Sequence, residues 1–264
     1  MLMEVKNQTR VVALSVKYNI MKEMTNRVTF LTNVCFMILN NMSFVIQWLI
    51  LFQLKDSIGG YEMNDVLLLW ALAASSYGLA HIVFLRAFRL QDLIINGKLD
   101  AFLVQPKNVL ISVISSASST SAIRDLIYGY LLVILFHGSI SKLLLFTYFT
   151  ITGAIILAAF AVLVGSISFW IVRGDMLATN LNNAMINFST YPDGIFKEGV
   201  RVLLYSLVPV GMVAYLPVKI ILSFHWFDIM IITVFAVFIT LLAFVVFYKG
   251  LRRYSSSNLM SARS

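Results

Sequence analysis

Apolar positions in this chain fall in long unbroken runs, without the short alternation of soluble strands or the single apolar stripe of soluble helices. Val28–Phe52 and Ile229–Tyr248 carry no charged residue, and Val66–Leu85 has only His81 as a side chain that titrates near neutral pH. A helix needs about 20 apolar residues to cross a hydrocarbon core. The pattern therefore predicts spans at Val28–Phe52, Val66–Leu85, Val109–Phe136, Leu143–Trp170 and Ile229–Tyr248, the third interrupted by Arg124 and Asp125. Between Met176 and Leu222 the pattern is mixed. A short, polar stretch (Met176–Ser189) is followed by an uncharged run, Val202–Val218, that contains Pro209 and Pro217. Either Met176–Pro192 crosses and Gly199–Leu222 dips in and returns, or the first piece lies flat and the second crosses. The prolines and Gly211 favour the re-entrant form, because each proline removes a backbone donor and weakens a continuous helix.

The basic residues orient these spans. With the N-terminus inside, Lys6, Arg10, Lys17, Lys22, Arg27, Arg86, Arg89, Lys98, Lys107, Arg173, Lys249, Arg252, Arg253 and Arg263 all fall on the inner side. Only Lys55, Lys142, Lys197, Arg201 and Lys219 fall outside, an asymmetry that marks the inner face as cytoplasmic. Both termini are then cytoplasmic and the number of crossings is even, which gives six. Composition agrees: of 264 residues, 60% are hydrophobic and 12% charged, with mean hydropathy +0.88. That excludes a water-soluble enzyme, and it turns the net charge of +8 into a basic membrane face rather than a nucleic-acid surface. The expected architecture is a single all-α polytopic membrane domain. Residues 1–27 form an N-terminal stretch, 28–250 the membrane domain and 251–264 a cytoplasmic tail.

In the N-terminal stretch, Val12, Val16, Ile20 and Met24 recur at four-residue spacing beside Lys6, Arg10, Lys17 and Arg27. That pattern fits an amphipathic interfacial helix and an ordinary basic flank equally well. Polar groups inside the membrane are costly and face protein or water. Asn33, Asn40 and Gln47, with Ser43, form one stripe on the first span, and Asn183 and Asn187 share a face on the fifth segment. They suit either a substrate path or interhelical hydrogen bonding, and the second use is commoner in membrane bundles. Arg124 and Asp125 point about 100° apart on a helix, so each is expected to pair with another helix or to lie where the span begins at the interface. His81 and His137 stand alone, Cys35 has no disulfide partner, and no set of residues has metal-ligand spacing. No phosphate-binding glycine loop and no nucleophile or metalloprotease motif occurs, so nothing argues for an enzyme.

The stretch Arg89–Asn108, RLQDLIINGKLDAFLVQPKN, resembles the loop joining the second and third spans of ABC-2 type exporter permeases. Ile94, Gly97, Leu99, Asp100, Leu103, Pro106 and Asn108 carry the likeness. Ala13–Asn33, Ser57–Leu72 and Ser168–Leu222 are similar to the same family. The resemblance implies an elbow helix at the N-terminus, a cytoplasmic coupling helix in the loop and re-entrant outer helices before the last span. It also implies a transmembrane subunit in a bacterial cell membrane that pairs with a second permease, identical or homologous, and with two copies of a separate ATPase. ATP and Mg would then be bound by that partner and no cofactor by this chain. Arg89, Asp92, Ile94, Gly97, Lys98, Leu99, Asp100 and Pro106 are the residues the likeness assigns to coupling. Charge runs also occur as plain solvated loops. An ion-coupled secondary transporter or a non-transporting scaffold are the alternatives. The first would need charged groups near the midplane and usually an inverted repeat, and only Arg124 and Asp125 suggest the charged groups.

Overall fold

The computed structural model describes residues 2–24, 27–171 and 173–255. Helix makes up 81% of the structure, and the described residues contain no strand, only an isolated bridge between Ile58 and Tyr61. In chain order the elements are α1 (Leu2–Met24), α2 (Arg27–Leu54), α3 (Met63–Phe84), α4 (Leu90–Ile95), α5 (Asp100–Leu103) and α6 (Val109–Ile114). They continue with α7 (Ser121–His137), α8 (Ile140–Ser166), α9 (Gly174–Phe188) and α10 (Glu198–Ser206). A π-helical turn (Gly211–Tyr215) then runs into α11 (Leu216–Leu222), and α12 (Trp226–Leu251) closes the chain.

Three continuous helical stretches are long and apolar enough to cross a membrane: Met63–Ile95, Ile140–Phe169 and Trp226–Leu251. These correspond to the second, fourth and last expected spans. α10 and Gly211–Leu222 make a further one only as a pair bent by 81°, so the element expected to be broken is broken. α2 is a continuous helix of 28 residues whose shorter apolar part is Leu39–Leu54. α1 is helical across Leu2–Met24; the join at residues 25–26 and the tail 256–264 lie outside the described residues.

The expected third span, Val109–Phe136, is not one helix. It is cut at Ser115–Thr120 into α6 and the 17-residue α7. The physical reason is the serine run. Ser115 Oγ donates to the Ile111 carbonyl and Ser116 Oγ to the Val113 carbonyl, while the Ser119 amide leaves the helix to reach the His81 carbonyl. Such side chains offer the backbone alternatives to the helical ladder. Arg124 and Asp125 consequently sit near the start of a new helix rather than inside a long one.

α8 is the central post. Its apolar window is 78% buried against 22% for that of α12, which leaves most of α12 facing outward. Between apolar helices in lipid there is no hydrophobic drive, so association depends on close packing of small residues. α8 supplies them in Gly153, Ala154, Ala158, Ala159, Ala161 and Gly165, all buried. The α3–α7 crossing is tighter still: a Cβ at Gly129 would run into Ser75 Oγ and the Ala71 carbonyl oxygen. α2 is held through aromatics, with Phe44 stacked on Trp70 at 3.6 Å and buried Trp48 tilted against Tyr191.

Candidate functional site

Residues 89–108 fold into a two-sided cap at one end of α3. α4 turns its apolar face inward, burying Leu90, Leu93 and Ile94. It ends in a Schellman cap: the Gly97 amide donates to the Ile94 carbonyl at 3.3 Å and the Lys98 amide to the Leu93 carbonyl at 2.9 Å. The turn needs φ = +64° at Gly97, which a side chain resists. Leu99 then plugs back into the core, fully buried. α5 follows, and Asn108 caps α6 by accepting the Ile111 amide at 3.1 Å. Ile94, Gly97, Leu99 and Asn108 therefore hold the loop's shape. The other expected coupling residues, Arg89, Asp92, Lys98, Asp100 and Pro106, are exposed. Two apolar side chains sit among them, Leu103 and Val104, the latter 85% exposed. A tail residue braces this cap. Tyr254 meets Phe169 edge-on at 6.3 Å, and burial together with the Asp100 carboxylate pushes its phenol up to about 12.

The polar stripe residues meet only in part. Asn40, midway along α2, lines a cavity of about 180 Å³ with Trp70 and Tyr77 of α3, Asp125 of α7, and Ile186, Ser189 and Thr190 at the end of α9. Ser43 and Gln47 are exposed, and Ser43 Oγ is occupied by the Leu39 carbonyl. Asn183 and Asn187 lie with Asn180 on the exposed face of α9, outside the cavity lining. The Asn33 side chain lies outside the described residues. Asn41, Trp70, Tyr77 and Thr190 join the cavity without having been expected. Asn41 is one residue off the polar stripe, a position that periodicity alone assigns to packing.

At the opposite end of α3, the sequence reading missed a clasp. Asp193, 4% exposed, accepts Tyr61 Oη at 2.8 Å, Tyr205 Oη at 3.3 Å and Lys219 Nζ at 3.3 Å, and Arg201 Nε lies 3.9 Å away. It ties the loop before α3 to the broken α10–α11 element. Burial and the Asp193 carboxylate push the Tyr61 phenol up.

A family model for ABC-2 family transporter proteins matches residues 37–258. The chain belongs to that family. No curated protein and no solved structure matches it. An ABC-2 chain is the membrane subunit of an ABC transporter and not itself the ATPase. In this ABC-2 chain the matched region takes in the two-sided cap, the cavity and the clasp together.

Proposed function

We propose that this chain is the permease of an ATP-driven exporter that moves a hydrophobic or amphipathic substrate out of the cell. The observation that carries the reading is the division of the 89–108 cap into a buried apolar half and an exposed half of Arg89, Asp92, Lys98, Asp100, Leu103, Val104 and Pro106. A plain solvated loop has no need of a glycine-capped, leucine-plugged frame under its charges. A mixed-charge face with two bare apolar side chains fits a groove on a soluble partner, with charge setting register and Leu103 and Val104 supplying contact. In this reading two copies of a separate ATPase bind ATP and Mg and push on this face.

The membrane arrangement follows from the same reading. α2, α3, α7, α8, α9 and α12 make six crossings with both termini cytoplasmic, and α10–α11 is re-entrant from outside. α1 lies in the inner interface as an elbow. The exposed asparagines of α9 and the exposed polar stripe of α2 cannot face lipid cheaply. They suit a second permease, identical or homologous, with the substrate path between the two. Coexpression with a neighbouring ATPase tests the assignment. Asp100→Lys should reach the membrane normally yet lower substrate-stimulated ATP hydrolysis severalfold. Normal hydrolysis and transport in that variant would overturn the coupling role of the cap.

A further inference from the structure

The cavity between α2, α3, α7 and α9 holds a chemistry the exporter reading leaves unused. It lies at mid-length of α2 and α3, and its wall carries the Asp125 carboxylate. A carboxylate among apolar helices is expensive and faces protein or water rather than lipid. Among the described residues the lining itself holds no Lys or Arg; Arg124, the preceding residue on α7, lies outside the lining and acts on the Asp125 carboxylate through its charge. Two aromatic side chains, Trp70 and Tyr77, are seven residues apart on one face of α3 and line the same space. Trp70 is fixed by its stacking on Phe44, and Tyr77 by its ring contact with His81 at 3.7 Å. A carboxylate beside aromatic walls is an electron-rich set that attracts an ammonium group. The second, independent observation is Asn41. It is 5% exposed, it lines the cavity, and its Nδ2 has no hydrogen-bond partner among the described residues. A buried amide donor left unpaired costs about 1–3 kcal/mol, which an acceptor oxygen on a ligand would recover. Leu157, Ile186 and Val213 complete the wall with hydrocarbon.

We infer that this cavity receives the head of a cationic amphiphile: an amine seated between Asp125 and the rings of Trp70 and Tyr77, with a nearby carbonyl or hydroxyl oxygen taking the Asn41 amide. The inference rests on the exporter reading for the direction of travel, but its binding chemistry belongs to the cavity alone. Anionic amphiphiles are rejected by the same carboxylate, and neutral ones gain nothing from it.

The test uses the full chain, with whatever subunits co-purify, in phosphatidylcholine nanodiscs without ATP. Three diazirine-bearing probes of equal chain length are compared: dodecylammonium, dodecanol and dodecanoate. Cross-links are mapped by mass spectrometry. The ammonium probe should label the cavity lining saturably, compete with unlabelled dodecylammonium, and exceed the other two about tenfold, the ratio expected for one added ionic contact. Asp125→Asn should lose that excess and Asp125→Glu should keep it. Equal labelling by all three head groups in the unmodified chain, a result independent of how any variant folds, overturns the inference; so does Asp125→Asn labelling like the parent. Preferential ammonium labelling without ATP-driven export in proteoliposomes supports the cavity and removes the exporter reading. ATP-driven export of some other substrate, with no head-group preference here, does the reverse.

Discussion

Tyr61 and Asp193 are 132 residues apart and share a 2.8 Å hydrogen bond in a nearly closed site. Removing the phenol oxygen strands one carboxylate oxygen of a buried group, so Tyr61→Phe should destabilise the protein by about 1–3 kcal/mol, read from detergent-solubilised thermal unfolding. Proton linkage adds a signature. The Tyr61 phenol is pushed above its ordinary value of 10.0, so the neutral form is favoured in the folded state. The stabilisation is whole below pH 10 and is lost as pH climbs past it. Stability of the parent should therefore fall more steeply above pH 10 than that of Tyr61→Phe; parallel alkaline profiles would remove this role. Nothing local in the sequence announces the clasp. Lys197, Arg201 and Lys219 read as scattered positive charges on one side, and only folding brings Arg201 and Lys219 onto Asp193. A single aspartate beside a proline carries no periodic signal at all.

Among the elements, the cap was reached through the family resemblance, since its charges alone also suit a plain solvated loop. The resemblance pointed to Gly97, and the structure supplies the reason in a left-handed turn. Gly97→Ala should cost about 1 kcal/mol through backbone strain, with coupling reduced in proportion to lost fold, whereas Asp100→Lys, at an exposed position that gives up its contact with Tyr254, should lower coupling far more than stability. Unfolding curves for the two variants, set beside their ATPase rates, separate frame from contact. α6 and α7 were the least readable. Ser115–Thr120 sits inside an apolar run, and hydropathy averages over a few hydroxyls that a backbone does not ignore. The tight α3–α7 crossing makes the complementary point: Gly129→Leu should force the two helices apart and abolish a folded, monodisperse preparation on size exclusion, since the obstructing atoms include backbone.

For the whole molecule, the two ends of α3 should lie on opposite sides of the bilayer. With Cys35 replaced, a cysteine at Asp56 should react with an impermeant thiol reagent in intact cells, and one at Lys98 only after permeabilisation. The broken α10–α11 element, bent by 81°, gives a second reading: cysteines at Glu198 and Ser223 should both react from outside. Labelling at 223 with protection at 198 would make the element a simple crossing. α3, α8 and α12 were legible from their length of unbroken hydrocarbon, while the cavity was not, since four residues of α3 meet one to three each from α2, α7, α8, the end of α9 and the π-helical turn. The clasp also sets an order for biosynthesis. A ribosome delivers Tyr61 long before Asp193, and Lys219 later still, so the hairpin of α2 and α3 waits unlatched through most of translation. Nascent chains arrested before residue 193 should be cut at the 55–62 loop by an external protease, and chains arrested well beyond residue 219 should resist. The final helix would then be threaded past a permease whose far end is already shut.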